Sequence, residues 1–102
     1  MPFTAEERGI RQMEDLLQKV LQALYEDESA DVQVDRAPEA FARRIGASVS
    51  QVTRAAELAQ RRGLIRGVFP LRHDQGPDVA SMSNAELTIS GYLYIERQHI
   101  GQ

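Results

Sequence analysis

Arg36, Arg43, Arg44, Arg54, Arg61, Arg62, Arg66 and Arg72 lie between positions 36 and 72 of a 102-residue chain. They are eight of its twelve basic residues, and only Glu39 and Glu57 share the segment. A guanidinium neutralises phosphates, and its planar fork also bonds carboxylates and the edge of guanine. The segment therefore carries a local charge of +6 inside a chain whose total is −3, with −6 in residues 1–35 and −3 in residues 73–102. The acidic total argues against tight, indiscriminate binding to a polyanion. A local basic footprint survives it, because exposed charges act mainly within about 10 Å at moderate salt.

Spacing narrows the chemistry. Stepped at about 100° per residue, a helix from Ser48 to about Arg62 puts Ser50, Arg54, Glu57 and Arg61 on one face. Val49, Val52, Ala56 and Ala59 share the opposite face, with Ala55 beside them. Arginine can bond guanine edges, serine phosphates, and glutamate the amino group of cytosine. The plain alternative is a solvated helix face. Arg43 and Arg44, like Arg61 and Arg62, sit at the end of a predicted helix. They suit phosphates, and equally they suit the negative end of a helix dipole, worth about 0.3–1 kcal/mol each. Arg66, Arg72 and His73 fall on or beside a predicted hairpin that could reach a nucleic-acid backbone or minor groove. The alternative there is an ordinary loop whose charge Asp74 and Asp78 cancel.

The elements that must hold these residues are legible in outline. Thr4 and Glu7 match a capping box. Behind them Ile10, Met13, Leu17, Val20, Leu21 and Leu24 recur at helical steps, predicting an amphipathic helix over about 5–27. Its end is puzzling, because Glu26, Asp27 and Glu28 oppose the helix dipole. Residues 28–36 form a polar connection, with a short extended piece at Val32-Gln-Val34. A second helix runs from Pro38 to Ile45, buries Phe41 and Ile45, and stops at Gly46. Ser48-Val-Ser-Gln51 is a second capping box and opens the third helix, which Gly63 ends. Leu64–Leu71 then predicts a strand with Pro70 at its edge or end. Residues 72–84 read as a turn-rich loop. Residues 85–89 read as a return strand with Leu87 toward the core, and Thr88 can cap a last helix over about 89–99. That helix carries two apolar stripes. Gly91, Tyr92, Ile95 and His99 form one; Ile89, Leu93 and Ile100 form the other. One stripe packing on the core leaves Ile89, Leu93 and Ile100 for a partner subunit, unless the first helix and the hairpin cover both. Tyr25 and the rim of the first helix would join such a dimer contact.

Other classes fit poorly. The chain reads as one domain over 1–102, with enough apolar residues for an ordinary core. It has no cysteine, which excludes disulfides and thiolate metal sites and suits a reducing cytoplasm. No apolar run approaches the ~20 residues that span a bilayer. The acidic N-terminus lacks a signal-peptide pattern. His73 and His99 stand in unrelated segments. No metal-ligand cluster, nucleophile triad or phosphate loop is present, so neither catalysis, metal nor cofactor is expected.

The order of helix, short helix, helix, Gly63-Leu64-Ile65-Arg66-Gly67, loop, and then Ala85-Glu-Leu-Thr88-Ile-Ser-Gly91-Tyr-Leu-Tyr94-Ile95-Glu96 resembles winged helix-turn-helix proteins. The closing Leu-Thr-x-x-Gly with an aromatic-aliphatic pair is similar to that of MarR-, PadR- and phage-type members. The compact size looks most like the small YjcQ-like proteins of prophages. The resemblance covers nearly the whole chain. It implies a mainly α fold with a small β-hairpin: a three-helix core, a two-stranded wing over 66–87 and a C-terminal helix. The third helix would be the recognition helix. The resemblance does not by itself imply DNA binding, since some winged helices bind only proteins. With the basic segment, the leading expectation is a phage- or prophage-type transcription regulator on double-stranded DNA. Arg54 and Arg61 would face base edges with Ser50 beside them, and Arg43, Arg44, Arg62, Arg66 and Arg72 would serve the backbone. An adaptor that uses the same fold to bind protein is the alternative.

Overall fold

The computed structural model describes residues 5–30, 34–71 and 79–100, with side chains placed over 8–30, 34–70 and 79–98. The architecture is mainly helical with a small antiparallel β component. Helix α1 spans Ala5–Glu28, α2 Pro38–Ile45 and α3 Val49–Arg61. Two short ladders follow, and α4, Ile89–Ile100, closes the chain. The Thr4–Glu7 cap and the extended piece at 32–34 fall wholly or partly outside the described residues.

The core is a stack of apolar faces at the expected period. Leu17, Val20, Leu21 and Leu24 of α1 are buried against α3, whose Ala55, Ala56 and Ala59 have no exposed surface. Small side chains let the two helices approach closely, while Phe41 and Ile45 of α2 fill the flank. Phe41 is fully buried, a contribution of about 1.5–3 kcal/mol. Ile10 departs from its expected place and is 62% exposed. A helix of 24 residues is about 36 Å long, whereas α3 with 13 spans about 20 Å, so the first turns of α1 overhang the body.

The segment read as one strand over 64–71 is two. Strand β1, Ile65–Arg66, pairs antiparallel with β4, Glu86–Leu87; β2, Phe69–Leu71, pairs antiparallel with β3, Val79–Ser81. The break lies at Gly67, with φ +82° and a backbone so close to the Asn84 carbonyl that no side chain fits. Opposite it, the four residues 82–85 bulge against the two of 67–68 and send Met82 fully into the core. Strand β3 occupies part of what reads as loop, because its alternation is too short to register.

At the start of α4, the Thr88 hydroxyl accepts from the Gly91 amide at 3.1 Å and the Thr88 amide donates to the Leu64 carbonyl at 3.0 Å. That crossing presses Gly91 onto the Leu64 carbonyl, where a Cβ would collide with backbone. Alanine favours a helix over glycine by about 1 kcal/mol, while forcing atoms into a packed site costs about 1–3 kcal/mol or more. Gly91→Ala is therefore expected to lose about 2 kcal/mol net, read as a lower denaturant midpoint at unchanged slope. A stabilised variant would mean that α4 has room to move.

Candidate nucleic-acid interface

Helices α2 and α3 are joined by only Gly46, Ala47 and Ser48. Gly46 adopts φ 74°, and its amide reaches back to the α2 carbonyls, which turns the chain sharply. Both halves of the second capping box are present: the Gln51 amide donates to Ser48 Oγ at 3.1 Å, and the Ser48 amide donates to Gln51 Oε1 at 2.9 Å. Gln51 is thereby committed to the turn. With Val52, Ala55, Ala56 and Ala59 buried, α3 leaves Ser50, Arg54 and Arg61 exposed and Glu57 half-buried between them. The two arginines are seven positions apart, about 10.5 Å along the axis.

The seven described arginines of the cluster divide into paired and unpaired ones. Asp27 at the end of α1 has a side chain only 4% exposed. Arg36 Nε donates to its Oδ2 at 3.0 Å, and Arg44 Nη2 lies 2.6 Å from its Oδ1. The second contact sets the Arg44 charge directly against a buried carboxylate oxygen. Arg44 also donates to the Ala23 carbonyl at 3.2 Å and lies 3.7 Å from Glu26. It thus ties α2 to the last turns of α1, where Glu26 and Asp27 are met by cations from α2 and its leading loop. Arg36 Nη1 donates in addition to the Ala85 carbonyl at 2.6 Å and the Met82 carbonyl at 3.3 Å, pinning the bulge before β4. Burial alone would push the Asp27 carboxyl up. The hydrogen bonds and charges of Arg44 and Arg36 outweigh it and hold the group below its ordinary value. Arg44 is raised in turn by its bond to Asp27, and Arg62 by its bond to Glu14.

Arg62 meets Glu14 at 2.7 Å, and Arg66 meets Glu86 at 2.7 Å across the β1–β4 ladder. The Arg66–Glu86 pair is largely exposed, worth about 0–1 kcal/mol, and can open to a competing anion. The Asp27 pairs are not of that kind. Among the described residues, Arg43, Arg54 and Arg61 are exposed without an ion-pair partner. The basic footprint is therefore narrower than the composition suggests. Arg36 and Arg44 are cross-links of the fold. Their signal in the sequence was the uncompensated Glu26-Asp27-Glu28 run, which required cations from elsewhere. Arg72 and His73 lie outside the described residues.

Helix α4 buries Gly91 and Ile95, half-buries Tyr92, and sets the Tyr92 ring edge-on to Tyr25 with centroids 6.1 Å apart. Its other stripe faces solvent, with Ile89 80% and Leu93 48% exposed; the side chains of His99 and Ile100 lie outside the described residues. Among the described residues no helix is long and apolar enough to cross a membrane, and no group of three or more His, Asp or Glu is placed to hold a metal. Comparisons with protein-family models, curated proteins and solved structures gave no significant match.

Proposed function

We propose that this chain is a winged helix-turn-helix protein that binds double-stranded DNA as a regulator of the phage or prophage type, with α3 as its recognition helix. One observation carries the reading: a tight Gly46 turn seats α3 so that Ser50, Arg54 and Arg61 face outward, with Arg43 unpaired nearby in the chain. Arg54 and Arg61 address base edges, while Ser50 and Arg43 address phosphates. Arg66 and Arg72 lend the wing its charge. Arg44 and Arg62 are assigned to the fold, since each is already held by a carboxylate.

The test is a mobility shift on a random-sequence duplex at two salt concentrations. Each lost phosphate contact flattens the slope of log affinity against log salt by about one unit. Arg43→Ala is expected to weaken binding to every sequence and to flatten that slope by about one. Absence of binding at low salt would leave the adaptor reading, to which the exposed Ile89 and Leu93 also lend support.

So few unpaired cations give one domain little hold on DNA, and a second copy doubles them. We assign the Ile89 and Leu93 stripe to a homodimer, which leaves α3 free. Sedimentation over a concentration series should show a reversible dimer, and Leu93→Glu should shift it to monomer. A monomer at every concentration ends the dimer assignment.

A further inference from the structure

Helix α3 carries a second polar pattern, one step ahead of its outward arginines. Thr53 precedes Arg54 and Gln60 precedes Arg61, so the same seven-residue interval recurs. Neither Thr53 nor Gln60 turns its polar atoms to solvent alone. The Gln60 carboxamide meets both backbone groups of Val68: the Val68 amide donates to Oε1 at 2.9 Å, and Nε2 donates to the Val68 carbonyl at 3.2 Å. Thr53 is buried, 7% exposed. Its hydroxyl donates to the Val49 carbonyl at 2.9 Å and accepts from the Ala80 amide at 3.1 Å.

These bonds satisfy backbone groups that the hairpin leaves over. Val68 stands at the break between β1 and β2, where neither ladder supplies a partner. Ala80 stands opposite Pro70, which has no amide, and its own amide turns to Thr53. A two-stranded hairpin of this length is marginal in water by itself. It is held here at Ala80 of β3 and at Val68 just before β2, from two points about 10.5 Å apart along one helix.

We propose that Thr53 and Gln60 are positioning residues: they lock the wing onto α3 so that both strands and the arginines at 54 and 61 present one pre-set surface. The inference rests on the DNA-binding reading for its purpose, but the lock itself does not. Pre-setting a surface removes ordering that binding would otherwise have to impose. The lock therefore acts on affinity without adding a charge.

The test uses the full chain with Thr53→Val and Gln60→Ala, singly and together, and Thr53→Ser as the conservative variant. Hydrogen exchange in the free protein reads the lock directly. The Val68 and Ala80 amides should exchange about tenfold faster in the respective variants, while core amides of α1 stay protected. Thr53→Ser should restore Ala80. On duplex DNA, at a temperature where every variant is folded, the double variant should bind about tenfold more weakly. Its salt slope should be unchanged, because no cation has been removed. A role in stability alone would lower the melting temperature and leave affinity of the folded protein intact, and that result overturns the proposal. Unchanged exchange at Val68 and Ala80 overturns it as well. Failure of the unaltered protein to bind DNA would instead sink the proposed function, with the exchange experiment still deciding whether the wing is locked.

Discussion

Replacing Asp27 by alanine should destabilise the protein by about 3 kcal/mol, because two guanidiniums then lose the carboxylate they converge on. For a chain of this length that is a fall in melting temperature of roughly 12–20 °C. The figure sits at the low end for a broken buried pair, since the Arg36 and Arg44 side chains keep 18% and 29% of their exposure and water can partly replace the lost partner. Three elements meet at this one carboxylate: the end of α1, the Arg44 of α2, and through Arg36 the bulge at Met82–Ala85. Loss of Asp27 should therefore loosen the bulge and the short ladders beside it as well as α1. The pH dependence follows from the same contacts. The folded carboxyl titrates below its ordinary value of 3.8, so its contribution is complete above about pH 4–5 and is lost as pH falls through the folded pKa. Between pH 5 and pH 2 the unaltered protein should lose more stability than Asp27→Asn does. Parallel losses would show that Asp27 is not the group that couples folding to acid.

Much of this was legible because local rules and tertiary packing agree. The Ser48–Gln51 box, the Pro38 start, and the Gly46 and Gly63 stops give α2 and α3 their limits within a residue. The period of Leu17, Val20, Leu21 and Leu24 marks the buried side of α1. What could not be read depends on partners distant in sequence. Arg36 and Ala85 are 49 positions apart, and nothing near Arg36 announces that it will reach a carbonyl of the bulge instead of a phosphate. Arg44 is likewise indistinguishable from Arg43 in the chain, yet one is bound to Asp27 and the Ala23 carbonyl of α1 and the other faces water. Composition counts charges, and only the fold decides which charges are already satisfied. The split of the β segment into two ladders was hidden for a related reason. Gly67 reads as a weak strand residue, while its positive φ and its contact with the Asn84 carbonyl arise only once the return strand is in place.

That division of the arginines yields the sharpest expected contrast. On the proposed DNA-binding reading, Arg54→Ala with Arg61→Ala should weaken binding to a preferred duplex by about 30-fold to 10⁴-fold, taking about 1–3 kcal/mol for each base-edge contact. The same pair should leave the melting temperature nearly unchanged, because neither guanidinium has an ion-pair partner among the described residues. Arg44→Ala should do the reverse. It removes the tie between α2 and the end of α1 and leaves Asp27 half-compensated, so stability falls by about 2 kcal/mol while the folded protein keeps its affinity and its salt slope. Arg62→Ala lies between them: its bond to Glu14 is partly exposed, so the loss of stability should stay under about 1 kcal/mol. Sequence preference should relax only in the Arg54 and Arg61 variants, since phosphate contacts carry no base information. Equal losses of affinity across all four arginines would mean that the whole basic segment acts as a diffuse charge. The recognition role of α3 would then fail, even if the protein binds DNA.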